Sequence, residues 1–208
     1  MAKTQNKIGK MSRREGVALS TSESVLRLMQ KRAYAPGVHG VSSGGRPQRL
    51  STFGKQLREK QKAKRLYGLM EKQFRNYFEK ASRAPGDTTE NLPRLLEQRL
   101  DNAVFRLGFA KTRPQARQMV SHAMFEVNGK KLNIPSYQVK IDDEIKIRDN
   151  KIGKSVFIDL NERIAQHNVP GWLHLDIQSK VGKVVSLPEG EDLKEVYDPK
   201  LIVEFYSR

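Results

Sequence analysis

Between residues 51 and 83, Leu66, Met70, Phe74 and Phe78 recur every fourth position. Side chains so spaced share one side of an α-helix, so the run predicts a long helix with a buried spine. Leu95, Leu96, Leu100, Val104 and Leu107 repeat the pattern, and Gly108 suits the position just past a helix end. SESVLRLMQKR, residues 22–32, predicts a short helix with Val25, Leu26 and Met29 on one side. TRPQARQMVSH, residues 112–122, predicts a capped one. Its Thr112 and Gln115 fit a capping box, and Pro114 falls in the first turn, where a missing N–H costs nothing. After it the period changes to two. MFEVNGKKL alternates around Asn128-Gly129, the strongest short hairpin signal, and EIKIR (144–148) alternates again. A short helix is expected at 161–166, and strands at WLHLDI (172–177) and LIVEFY (201–206). Before residue 51 the periodicity is poor. SRREG (12–16) reads as a basic loop or helix start, and Pro36-Gly37 as a type II turn.

This order predicts an α+β protein in three parts. Residues 1–95 form a basic, mostly helical domain with a loop-rich start. Residues 96–160 form a small domain, helix–turn–helix followed by a small antiparallel sheet. Residues 161–208 form a β-rich extension packing on the other two.

Charge changes the picture. The 208 residues carry a net charge of +16, with a sequence pI near 10.1. Residues 1–95 hold 21 Lys and Arg against 7 Asp and Glu, residues 96–160 hold 12 against 8, and residues 161–208 hold 6 against 8. A chain this basic repels itself unless a polyanion neutralises it, so nucleic acid is the first candidate partner and an anionic membrane surface the second. No apolar run approaches the roughly 18 residues of a membrane span. The start MAKTQNKIGK has no apolar segment for a secretion signal. The absence of cysteine excludes disulfides and thiolate chemistry and removes the usual zinc ligands. His39, His122, His167 and His174 lack metal-ligand spacing, so no metal and no cofactor is expected.

Candidate contact residues follow from this balance. KQLREKQKAKR, residues 55–65, sets six cations beside one acid, Glu59. Arg58, Lys60, Lys62, Lys64 and Arg65 are therefore candidate RNA contacts, with Lys72, Arg75 and Arg83 further along. The aromatics between them fit a core stripe better than a base-stacking platform. His39, Arg46 and Arg49 sit in a glycine- and proline-rich segment that otherwise resembles a linker. In 112–122, Ala116, Met119 and Val120 share one side, and Arg113, Arg117, Gln118, Ser121 and His122 the other. Solvated helix faces usually mix signs as i,i+4 pairs. This face has no acid, and Arg117 has none at i±3 or i±4.

RLDNAVFRLGFAKTRPQARQMVSHAMFEVNGKKLNIPSYQV resembles the S4 RNA-binding domain. SRREG, APGVHG, LREKQKAKRLYG, EKQFRNYF, ENLPRLLEQRLDN and LIVEFYSR resemble, in matching order, the bacterial-type small-subunit ribosomal protein S4 family, in its cysteine-free, zinc-less form. The resemblance implies a primary binder of small-subunit rRNA that nucleates subunit assembly. It places such a protein in the small ribosomal subunit, cytoplasmic or in a plastid stroma, where mRNA enters and beside the fifth small-subunit protein, with a part in translational accuracy. By motif match it implies RNA contacts at Arg113, Arg117, Gln118, His122, Asn128 and Lys130, and at the basic pair Arg13 and Arg14. It also implies mRNA-side contacts at Arg46 and Arg49. SSGG at 42–45 replaces further basic residues of many relatives, which weakens the grip expected on mRNA.

Two other functions are weighed. Arg99-Leu100-Asp101 resembles an active-site triplet of some pseudouridine synthases, but it lies within a helix, and about fifty residues follow the small domain, too few for a catalytic fold. An RNA chaperone with the same small domain would not need the helices of 51–83. No enzyme is expected.

Overall fold

The computed structural model describes residues 7–37, 40 and 49–207. The helices are α1 (Ile8–Glu15), α2 (Glu23–Lys31), α3 (Thr52–Leu66), α4 (Glu71–Arg83), α5 (Thr88–Glu97), α6 (Leu100–Arg106), α7 (Arg113–Ser121), α8 (Leu160–Ala165) and α9 (Pro199–Tyr206). The strands are β1 (Phe125–Val127), β2 (Lys130–Leu132), β3 (Glu144–Ile147), β4 (Leu173–Asp176) and β5 (Val181–Val184). The chain divides into two compact units, Met1–Thr89 with Glu195–Arg208, and Glu90–Lys194. The stretch expected as one β-rich extension is shared between them: its strands lie in the second unit and its final helix in the first.

In the first unit, the long helix expected over 51–83 is two. α3 ends at Leu66, and Gly68 adopts φ +62°. Gly68 N–H donates to Arg65 O (3.2 Å) and Leu69 N–H to Lys64 O (2.9 Å), the paired bonds of a Schellman motif. The expected spine is therefore interrupted: Met70 is 41% exposed, and Leu69 is buried in its place. SRREG closes α1 rather than opening a helix. In α2, Val25 is buried but Leu26 is exposed.

LIVEFY, expected as a strand, is helix α9. A six-residue apolar run fits both periods, and the flanks decide. Asp198 accepts a hydrogen bond from Lys200 N–H (2.9 Å), and Pro199 sits in the first turn. As a helix the segment brings Ile202, Phe205 and Tyr206 to one side. Ile202 is fully buried, Phe205 meets Phe53 at 5.6 Å, and Tyr206 stacks on Phe78 at 4.6 Å. Gln56 Nε2 donates to Glu204 Oε2 (2.8 Å), tying α9 to α3.

In the second unit, the helical stripe of Leu96, Leu100, Val104 and Leu107 is completely buried but broken in two. Arg99 is extended (ψ 136°) and bridges to Gln138. Leu100 N–H donates to Tyr137 O (2.8 Å), and Val139 N–H to Gln98 O (2.9 Å). α6 ends in a second Schellman motif at Gly108, where a Cβ would lie 2.9 Å from the His167 ring. The hairpin forms as expected, with positive φ at both Asn128 (51°) and Gly129 (72°), the type I′ geometry. The antiparallel sheet runs β2-β1-β3-β5-β4. Gly182 of β5 lies opposite Ile145, and a Cβ there would come within 2.4 Å of Leu107, so glycine lets α6 pack closely on the sheet. Trp172, Phe109, Phe125, Ile145 and Ile147 fill the space between helices and sheet.

Removing residues 199–208 tests the role of α9. A fully buried apolar side chain contributes about 1.5–3 kcal/mol; α9 supplies one in Ile202 and adds half-buried Phe205 and Tyr206. The truncated chain should lose hydrogen-exchange protection over α3 and α4 while retaining it over α6, α7 and the sheet. Unchanged protection in α3 would show that α9 is dispensable.

Candidate nucleic-acid interface

α7 is anchored as its sequence requires. Thr112 Oγ1 accepts from Gln115 N–H (3.3 Å), and Gln115 Oε1 accepts from Lys111 N–H (2.8 Å). Ala116, Met119 and Val120 are buried. The opposite side differs from the expectation. It is free of acid only along α7 itself, because α5 and α6 bring two carboxylates to it.

Glu97, whose side chain has no exposed surface, accepts from Arg106 (Nε to Oε2 2.8 Å, Nη2 to Oε1 3.1 Å) and from Asn102 Nδ2 (2.7 Å). Arg113 donates from Nε to Asn102 Oδ1 (2.8 Å), places Nη2 3.8 Å from Glu97 and lies 4.7 Å over the Phe105 ring. Asp101 accepts two hydrogen bonds from Arg99 (3.1 and 2.9 Å), and Arg117 Nη1 lies 3.8 Å from it. Burial pushes the Asp101 carboxyl up from its ordinary value, against the pull of Arg99 and Arg117. Arg113 and Arg117 are thus members of an internal network, with side chains 14% and 25% exposed. The i±4 rule missed it because both carboxylates arrive from other helices. The same contacts account for Arg99-Leu100-Asp101: its two charged side chains bond each other inside the unit.

Gln118 and His122 are exposed beside this network. At the hairpin, Asn128 Nδ2 donates to Asp143 Oδ1 (2.8 Å), and its Oδ1 accepts from Glu144 N–H (2.8 Å). That side chain pins the turn to β3. Lys130 pairs with Val127, which faces the core, and Lys131 pairs with Glu126 on the other side of the sheet. Both lysines are exposed on the edge strand, so the alternation sends them to opposite faces. Lys111 and Lys131 are exposed cations not singled out from the sequence, although the position of Lys131 follows from the strand period.

The first unit repeats the pattern. Arg58 and Arg65 both reach Glu15, whose side chain is fully buried. Lys60 and Lys64 hold Glu71 at 2.5 and 2.7 Å, Lys62 holds Glu59 at 2.6 Å, and Lys60 Nζ lies 4.5 Å over the Phe205 ring. All five cations expected on α3 as RNA contacts are therefore joined to acids of their own unit. Arg13 donates to Tyr34 O (3.0 Å) and stacks on its ring. Arg14, Arg49, Lys72, Arg75 and Arg83 are exposed, with Arg75 paired to Glu79 at 3.2 Å. His39, Arg46 and SSGG lie outside the described residues.

Burial alone would raise the Glu71 carboxyl. Hydrogen bonds from Lys60, Lys64 and Tyr206 outweigh it and hold the carboxyl at about 2. Tyr206 is correspondingly raised, by burial and then by the Glu71 charge. Among the described residues, no group of three or more His, Asp or Glu could hold a metal ion, and no helix is long and apolar enough to cross a membrane.

Residues 3–97 match the ribosomal protein S4/S9 N-terminal domain, and residues 98–145 match the S4 domain. The chain is 48% identical to small ribosomal subunit protein uS4 of Chloroflexus aurantiacus over the full length of both. It is 45% identical to the protein of that name from Chlorobium limicola, again over both full lengths. With the one from Desulforamulus reducens it shares 51% identity over 86% of this chain and 85% of the other.

Two stability measurements check this geometry. Glu71→Gln should destabilise the chain by about 1 kcal/mol at neutral pH, a modest figure because a carboxylate nearly half exposed is screened. The folded-state value lies below the ordinary 4.5, so the stabilisation is present above 4.5 and lost as pH falls towards 2. The difference between wild type and variant should close over that window, as read by denaturant unfolding. Arg117→Ala should also cost about 1 kcal/mol, more than an exposed site would, because it strips a partner from buried Asp101. Met119→Ala should cost about 2–5 kcal/mol through its cavity. An Arg117→Ala chain as stable as wild type would mean the Asp101 contact contributes nothing.

Proposed function

The chain belongs to the family of small ribosomal subunit protein uS4, and from that membership we propose that it binds small-subunit (16S) rRNA as a primary binder and nucleates subunit assembly. It is a structural constituent of the small ribosomal subunit and not an enzyme. The finer reading sets it where mRNA enters, beside the fifth small-subunit protein, with a part in translational accuracy. One observation carries the RNA reading: residues 1–95 keep a net charge of +14. Pairing with internal acids fixes part of that charge in place but cannot cancel an excess of 21 cations over 7 acids. The remaining positive potential must meet a polyanion. On α7, exposed Gln118 and His122 share a side with Arg113 and Arg117, whose side chains are partly exposed, and the hairpin adds exposed Lys130. Such groups lie on phosphates, which position a protein without reading sequence, and selectivity then comes from the shape of a folded RNA.

Footprinting on small-subunit rRNA without other ribosomal proteins tests this reading. Protection confined to one folded region that survives elevated salt supports it, whereas diffuse protection would favour a general RNA chaperone. Lys130→Ala should lower the slope of log affinity against log salt by about one unit, the signature of one lost phosphate contact, with little change in stability. An unchanged slope would remove Lys130 from the interface.

A further inference from the structure

Carboxylates on a surface that meets RNA repel the ligand. Yet Glu97 and Asp101 stand against the side of α7 that the functional reading turns towards RNA: an uncharged residue, Asn102, links Glu97 to Arg113, and Asp101 faces Arg117 directly. The contacts are directional. Asn102 takes Nε of Arg113 at 2.8 Å while its own amide is held by Glu97 Oε2 at 2.7 Å. The Phe105 ring lies against the guanidinium, with the guanidinium carbon 4.7 Å from the ring centroid. Arg117 is drawn towards Asp101, which Arg99 fixes with two hydrogen bonds. An arginine fork offers five donors in one plane, so it can be held along one edge and still present another. Both side chains remain partly exposed, at 14% and 25%.

We infer that Glu97, Asn102 and Asp101 are positioning residues: they hold the guanidinium of Arg113 by a hydrogen bond and draw that of Arg117 by charge, so that the second unit selects a folded small-subunit RNA over other polyanions. The inference rests on the reading of α7 as RNA-facing. Two carboxylates oppose binding to every polyanion alike. Orientation favours only an RNA whose phosphates match the held guanidiniums, because the cost of immobilising two long side chains has already been met in the free protein.

The test uses the full chain, small-subunit rRNA and a generic RNA duplex, with affinities corrected for folded fraction by circular dichroism. Asn102→Ala removes the acceptor of the Arg113 Nε hydrogen bond without changing charge. Arg117→Lys keeps charge and loses the fork, and tolerates folding because the side chain is partly exposed. Each should lower the ratio of rRNA affinity to duplex affinity by about three- to tenfold, the equivalent of one side chain no longer immobilised in advance. Asp101→Asn should weaken rRNA binding while strengthening duplex binding. Were the acids only structural, Asn102→Ala and Arg117→Lys would leave the ratio at its wild-type value, and Asp101→Asn would strengthen binding to both RNAs. Either result overturns the positioning role. Arg117→Ala separates the two levels. If it leaves binding to both RNAs unchanged, α7 is not the RNA face and the inference falls with that reading. If it weakens rRNA binding while the ratio stays fixed in the other variants, the interface stands and the positioning role alone is refuted.

Discussion

A fully buried carboxylate must be met by cations and hydrogen-bond donors, because removing its partners leaves an uncompensated charge in a poor solvent. In this chain that constraint fixes helices. Glu97, at the end of α5, is answered by Arg106 at the end of α6, by Asn102 within it and by Arg113 of α7. Three helices are thereby indexed to one carboxylate. In the first unit buried Glu15 does the same, joining α1 to α3 through Arg58 and Arg65, and the half-exposed Glu71 joins α4 to α3 through Lys60 and Lys64 and to α9 through Tyr206. In a strongly basic chain the scarce acids are the informative residues, since each one selects which cations are held in place.

The elements legible in the sequence are those whose local rules agree with the core they serve. α7 carries a cap, an early proline and an apolar side; the hairpin carries Asn128-Gly129 between alternating residues; β3 and α8 fall within a residue or two of expectation. The errors arise where a local pattern has two solutions. LIVEFY satisfies either period, and the cap at Asp198 with the aromatic surface of α3 and α4 selects the helix. The two long stripes continue in spacing through their breaks, which are set by the turn at Gly68 and by the bridge of Arg99 to Gln138, a partner about forty residues away. β5, VGKV, gave little signal because Gly182 stands where an apolar side chain would complete the alternation.

The basic character of the candidate interface was legible, and the state of its cations was not. Reading along α7 finds no acid near Arg117 because pairing rules within a helix reach only one turn. Asp101 is sixteen residues away and arrives through the fold. The same holds for α3, where one acid is visible in residues 55–65 but Glu15 and Glu71 lie on other helices. Charge counts survive folding. Exposure does not follow from them.

The division between arginine and lysine in the second unit follows from what each head group can do. Arg94, Arg99, Arg106, Arg113, Arg117, Arg148 and Arg163 are all buried or half-buried. Two hold backbone at helix ends: Arg163 donates to Gly108 O and Phe109 O at 2.8 and 3.0 Å, and Arg148 donates to Ala123 O at 3.1 Å. Of the ten lysines of the second unit, Lys111, Lys130, Lys131, Lys140, Lys154 and Lys194 are exposed, and Lys146, Lys151, Lys180 and Lys183 are half-buried. A planar, weakly hydrated fork can be taken out of water and satisfied by several acceptors, whereas a compact ammonium keeps its hydration and remains a mobile point charge. In the proposed interface the exposed lysines therefore supply the long-range attraction that any polyanion would feel. The arginines, locked into the fold, are the cations with a defined direction. On the positioning role proposed above, such a surface attracts through one residue type and discriminates through the other, and the geometry of the buried acids, rather than the total charge, limits what the second unit can recognise.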